Sequence, residues 1–188
     1  MRKVIFGINL SIDGCCDHTK LSGNDDIYEY LINQYRDTDL FVFGRKTYQL
    51  MFPFWPDVAR DRSGKTKAMN EFAQAFAAVE TVVFSQSLDR AEGKNTRIVR
   101  TRPQDEILKL KQEEGKNISI GGLNLLSQLI ESHLIDEYHF VVHPIIVGEG
   151  RRLLEHISLQ ERLQLILVES TIFKSGCVAL RYLKQGVS

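Results

Sequence analysis

The sequence predicts one α/β domain of three layers: a mixed, mostly parallel β-sheet between helices, ending in an antiparallel hairpin. Three observations carry this. Over the first two thirds of the chain, short apolar runs alternate with amphipathic stretches, which favours parallel strands joined by right-handed crossovers. The last third changes pattern, with two strand-like runs flanking Lys174-Ser175-Gly176, a hairpin signal. The chain has 188 residues, 43% of them hydrophobic, which suits one domain whose core needs no disulfide or metal.

The elements follow in order. Val4, Phe6 and Ile8 alternate with other residues, so residues 3–10 read as a first strand. Tyr28, Leu31, Ile32 and Tyr35 share one face of a helix over 25–36, capped by Asn24 or Asp25. DLFVF at 39–43 is a short strand of the fully buried kind, and 45–52 is a short helix. FPFWPD, with Pro53 and Pro56, is expected to be a loop because proline cannot continue a helix. Helix returns at 66–78, and strands are expected at 81–85 and 96–100. Pro103 opens and Gly115 closes a helix over 103–114. A strand at 117–120, a helix at 123–132, a strand at 136–143, a glycine-containing loop and the hairpin strands 163–173 and 177–184 complete the domain.

Composition excludes several function classes. Lys plus Arg and Asp plus Glu both total 24, so there is no basic excess of the kind a general nucleic-acid binder carries. The run Tyr28, Tyr30, Tyr35 therefore reads as helix packing, not as a stacking platform for bases. No apolar run approaches the roughly 18 residues that span a bilayer. Asn9 and Asp13 interrupt the apolar start MRKVIFGINLSIDGCC, so a strand fits it better than a signal peptide. Cys15, Cys16 and Cys177 give no disulfide framework; free thiols in a reducing cytoplasm are expected. His139 and His143 lie four apart on a strand, about 13 Å at 3.3 Å per residue, too far to chelate one ion. No metal is expected.

In open α/β sheets, ligands bind where strands end and helices begin. Two junctions stand out. In VFGRKTY (42–48), Gly44 permits close backbone approach, Arg45 and Lys46 add positive charge, and Thr47 adds a hydroxyl. In ISIGGLNLL (118–126), a strand runs into Gly121-Gly122 and a helix. Alone, the first junction reads also as a solvated basic helix start, and the second as a tight βα turn needing positive φ. Together they suit the two halves of a dinucleotide, with the basic residues favouring a 2′-phosphate and hence NADPH. Two further sites could meet a substrate. Trp55 could stack on a planar ring or simply anchor its own loop. Gly148, Gly150, Arg151 and Arg152 could hold an anionic tail.

The ordered set LSIDG (10–14), GRKTY (44–48), IGG (120–122) and HPIIVGEG (143–150) resembles the dihydrofolate-reductase-like fold. It resembles more closely the reductase domain of bifunctional riboflavin-biosynthesis deaminase-reductases, here as a stand-alone domain. The likeness covers nearly the whole chain. It implies that Gly44, Arg45, Lys46 and Thr47 bind cofactor phosphates. It places Ser85 and Gln86 beside the adenosine ribose. Gly121, Gly122, Leu123, Asn124 and Leu125 would lie under the pyrophosphate and nicotinamide. Asn9 and Ser11 would lie near nicotinamide and substrate. In dihydrofolate reductases a carboxylate on the first helix grips the pterin. Asp26 falls near that position, though the spacing to Gly44 matches only with a gap; Asp13 is the alternative, or a turn residue of Asp13-Gly14. Where riboflavin reductases carry an acidic Asp-Asp-Pro stretch, this chain has GRKTYQLMFPFWPD, so the substrate stays open. The resemblance implies a cytoplasmic, homodimeric, NADPH-dependent reductase of a small heterocycle. A non-catalytic NADP-binding module is the alternative.

Overall fold

In the computed structural model, residues 1–93, 95–155 and 159–185 are described. Eight strands form one sheet in the order β4-β3-β2-β5-β1-β6-β8-β7. They are β1 (Val4–Ser11), β2 (Thr38–Gly44), β3 (Glu80–Phe84), β4 (Thr96–Val99), β5 (Asn117–Gly121), β6 (Glu137–His143), β7 (Leu165–Ile172) and β8 (Val178–Lys184). The first six run parallel; β8 pairs antiparallel with both β6 and β7. The expected mixed sheet with its terminal hairpin is therefore present.

Alternation along β1 separates the two layers. Val4 and Phe6 face α5 (Pro103–Gln112) and α6 (Leu123–Ile130), packing with Ile107, Leu110, Leu125, Leu126 and Leu129 and with Val42, Ile118 and Ile120 of the neighbouring strands. The other face carries α1 (Asp25–Tyr35) and α4 (Lys67–Ala78). There an aromatic core of Phe41, Phe43, Tyr48, Phe52, Phe72 and Phe76 fills the layer. The Phe41–Phe76 stack at 5.1 Å holds β2 to α4, and Phe43 stacks on Phe41 along β2 at 5.5 Å. Asn24 caps α1 by accepting from Ile27 N at 3.1 Å, and Thr66 caps α4 by accepting from Met69 N at 3.1 Å.

One expectation fails. FPFWPD is not a loop: α2 (Arg45–Met51) ends before Pro53, and a new helix, α3, spans Phe54–Asp61. Pro56 is the third residue of that helix, within the first turn, where backbone N–H groups have no intrahelical partner and proline loses nothing. Trp55 consequently sits on a helix. Its ring packs edge-on against Phe72 at 4.6 Å and Tyr28 at 5.9 Å, joining α3 to α4 and α1, so its large surface serves packing. Among the described residues, no helix is long and apolar enough to cross a membrane.

Candidate active site

The carboxyl ends of β1, β2, β5 and β6 lie side by side at one edge of the sheet. Because β5 inserts between β2 and β1, Gly121 comes beside Phe43 in register, and the two glycine junctions meet. A Cβ on Gly121 would lie 2.9 Å from the Phe43 ring, and one on Gly122 would collide with the Thr47 hydroxyl. Gly122 also has φ 102°, a conformation that penalises any side chain. The glycine pair thus lets the start of α2 seat against the start of α6. Neither helix start carries a side-chain cap, so first-turn N–H groups remain available to an anion. Gly44, with nothing within 4 Å of a notional Cβ, leaves the approach open.

Arg45 and Lys46 are exposed; among the described residues Arg45 donates only to Gln49 Oε1 of its own helix, at 3.2 Å. Arg151 reaches the start of α6, where its Nη2 donates to Asn124 Oδ1 at 2.7 Å. Ser85 and Gln86 sit at the end of β3 but are engaged in a turn. Ser85 Oγ accepts from Leu88 N at 2.9 Å, and Gln86 Nε2 donates to Arg100 O at 2.7 Å.

Two residues expected to meet substrate or supply a proton instead build the wall of the site. Ser11 is fully buried; its hydroxyl donates to Asp13 Oδ1 at 2.6 Å and accepts from Cys15 N at 2.9 Å. Asp13 accepts from Val147 N at 3.0 Å and Gly148 N at 2.9 Å and pairs with Arg152. These donors, Ser11 first, hold its carboxyl well below the usual carboxylate range. An acid this strongly held ionised is a poor proton donor near neutral pH. The Asp-Gly pair acts as a turn, and it also clamps the loop after β6: Ile12 N donates to Ile145 O and Cys16 N to Arg151 O. Asp26 Oδ2 accepts from Ser175 N at 2.9 Å, tying α1 to the β7–β8 turn. Asn9 Oδ1 lies 3.4 Å from His143 Nε2; burial pushes the pKa of that imidazole down, so Asn9 faces a neutral ring.

The clamp predicts a local effect. Asp13→Asn should speed amide hydrogen exchange at Val147 and Gly148 while core amides in β2 and β5 keep their protection. Equal exchange in both proteins would mean that Asp13 does not hold this loop.

A cavity of about 650 Å³ opens at the opposite edge of the sheet, between Arg2, Tyr35, Arg36, Thr38, Asp39 and Glu113. Of its cations, Arg2 pairs with Asp39 and Arg97 with Glu106, and neither glycine junction reaches it.

A sequence profile of the RibD C-terminal domain matches residues 2–179. The chain belongs to the RibD C-terminal domain family. The uncharacterized protein YyaP of Bacillus subtilis (strain 168) is 26% identical over 179 residues, covering 95% of this chain and 87% of its own. A putative riboflavin biosynthesis protein from Shewanella sp. PV-4 superposes with TM-score 0.71 at 17% identity, over 98% of this chain and 99% of its own. Dihydrofolate reductase from Enterococcus faecalis, solved with NADP(H), superposes with TM-score 0.62 at 13% identity, over 98% of this chain and 97% of its own. This RibD C-terminal domain therefore has the dihydrofolate-reductase-like fold, and the family and its neighbours support an oxidoreductase. Sequence reasoning passed over Gly7 and Glu137 and weighed His139 only as a metal ligand. The available signal was an isolated glycine within a strand, which marks close approach to the backbone.

Proposed function

We propose that this RibD C-terminal domain is an NADPH-dependent reductase of a small planar heterocycle, of the riboflavin-pathway type. The observation that carries the reading is the meeting of two uncapped helix starts at Thr47 and Gly122, flanked by the exposed cations Arg45 and Lys46. The glycine cradle fits a dinucleotide: the amides at the start of α6 would hold the pyrophosphate, and Arg45 and Lys46 the 2′-phosphate. A nicotinamide held there would supply a hydride to an electron-poor ring carbon or C=N bond. The protein's part is positioning: Asn9 at the end of β1 and Arg151 at the start of α6 border the cleft. With Asp13 ionised and Asp26 engaged by the hairpin, the proton comes from water.

The test is titration of the purified protein with NADPH and with NADH, followed by reduced-nicotinamide fluorescence. A tenfold preference for NADPH, about 1.4 kcal/mol, supports the reading. No binding of either removes it. NADPH binding without oxidation by any pteridine or pyrimidine acceptor would favour the non-catalytic module.

We propose likewise that two copies pair through β7. This edge strand exposes Ile166, Leu167, Val168 and Ile172, and an unprotected apolar edge invites strand addition. Val168→Lys should convert a dimer to a monomer in light scattering; an unchanged mass would exclude this edge.

A further inference from the structure

β1 runs through the middle of the sheet, where both faces of a strand should be covered. Gly7 is exposed nonetheless, and a Cβ built on it would meet nothing within 4 Å. Alternation places Gly7 with Ile5, Asn9 and Ser11 on the α1 face of the sheet. α1 crosses that face through Ile27, which packs with Val141, Cys177 and Ala179, and through Tyr35 against Phe41. It leaves Gly7 open between these contacts.

The register partner of Gly7 on β6 is His139. Paired residues of a parallel ladder point to the same face, about 4.8 Å apart, so the imidazole borders the opening. Its side chain is only 8% exposed. Nε2 lies 3.2 Å from Glu137 Oε2. Glu137 also accepts from Lys3 Nζ at 2.8 Å and Arg181 Nε at 2.8 Å, and its pKa is lowered to about 2; burial opposes these donors, which outweigh it. An ionised carboxylate only accepts, so Nε2 carries the ring proton and Nδ1 keeps its lone pair. Nδ1 makes no hydrogen bond to a described residue. The charged and titratable groups around the ring are Lys3 ahead of β1, Glu137 on β6, Arg181 on β8, Glu169 on β7 and Tyr30 on α1. Two cations face two anions, so the opening favours a neutral ligand.

We propose that this opening is the deep end of the substrate cleft, and that His139 Nδ1 accepts a hydrogen bond from a ring N–H or amino group of a neutral heterocycle lying over Gly7. The proposal rests on the reading that the cleft binds a planar heterocycle. Gly7 lets a ring approach the backbone, and His139 reads the donor at its leading edge. Acidification would protonate Nδ1 and turn the acceptor into a donor. Because burial lowers the pKa of His139, the donor ligand should hold at neutral pH and be released only below the ordinary histidine range.

The test uses calorimetric titration in mildly alkaline buffer, where 2,4-diaminopyrimidine is uncharged and presents N–H donors, with 2,4-dimethoxypyrimidine, which lacks them, as the comparison. The wild-type protein should bind the diamino compound at least tenfold more tightly. His139→Leu should erase that preference, His139→Gln should restore part of it, and Gly7→Val should weaken both ligands. Thermal melts check that each variant folds. On the folded wild type, the Nδ1 nitrogen resonance of His139 should move when the diamino compound is added. No binding of either pyrimidine, an unchanged preference in His139→Leu, or a stationary resonance overturns the proposal. NADPH binding without any of these effects would leave the reductase reading standing and remove only this one; loss of NADPH binding with the His139 response intact would do the reverse.

Discussion

Replacing Arg45 and Lys46 together with glutamate should weaken NADPH binding at least 100-fold, about 2.7 kcal/mol, while stability stays within about 0.5 kcal/mol of the parent. Both side chains are exposed, and the one side-chain hydrogen bond of Arg45 reaches Gln49 on the same helix. Folding therefore loses little. Binding loses twice over, because two attractions to phosphate disappear and two repulsions replace them. If these cations meet the 2′-phosphate, NADH should weaken far less than NADPH, and the NADPH loss should shrink as added salt screens exposed charge. Fluorescence titrations at low and high ionic strength measure both. An equal loss for the two cofactors would move the cations to the pyrophosphate. Unchanged NADPH affinity would sink the site assignment.

The largest stability effect is expected at Glu137. Its side chain is 2% exposed and is shared by Lys3, Arg181 and His139. Glu137→Ala takes a buried carboxylate from its partners, a change that typically costs about 3–5 kcal/mol, although Arg181 is 34% exposed and keeps Glu169 at 3.5 Å. Lys3 is 55% exposed and can return to water, so the lower end applies, about 3 kcal/mol. The same carboxylate governs acid stability. Its folded pKa of about 2 lies below the ordinary 4.5. Its contribution is therefore present above the unfolded value and is lost as pH falls from about 5 towards 2, on the order of 3 kcal/mol in all. Melting temperatures between pH 2.5 and 7 should show a steep acid limb in the parent and a shallower one in Glu137→Ala. Parallel limbs would assign acid sensitivity elsewhere in the molecule.

Most strands and helices were legible because burial imposes a period. The buried run DLFVF, the alternation of Val4, Phe6 and Ile8, and the hairpin turn all lie where their patterns place them. FPFWPD was misread because two prolines look like a breaker until one is seen to occupy a first turn. The site was legible only at its glycine junctions, whose composition is local. The rest depends on strand order. Thr47 meets Gly122 because β5 slips in beside β2. Asp26 meets Ser175, and Asp13 meets Val147 and Gly148, across well over a hundred residues. Periodicity reports which residues are buried, not which neighbours bury them. A lone aspartate before glycine therefore looked equally like an acid and a turn, and His139 showed its significance only once β6 lay beside the bare backbone of Gly7.

The position of β1 bears on how the chain is made. Of these eight strands it is the first to leave the ribosome, yet both of its hydrogen-bonded neighbours, β5 and β6, come from residues 117–121 and 137–143. At about 5–20 residues per second, β1 waits several seconds at least without a partner while β2, β3 and α4 assemble through their shared aromatic layer. The sheet is thus built from one flank inward, and its central strand is seated late. A nascent chain halted before β5 should present an apolar, unpaired strand, the form that chaperones capture, whereas a chain released beyond β6 should not.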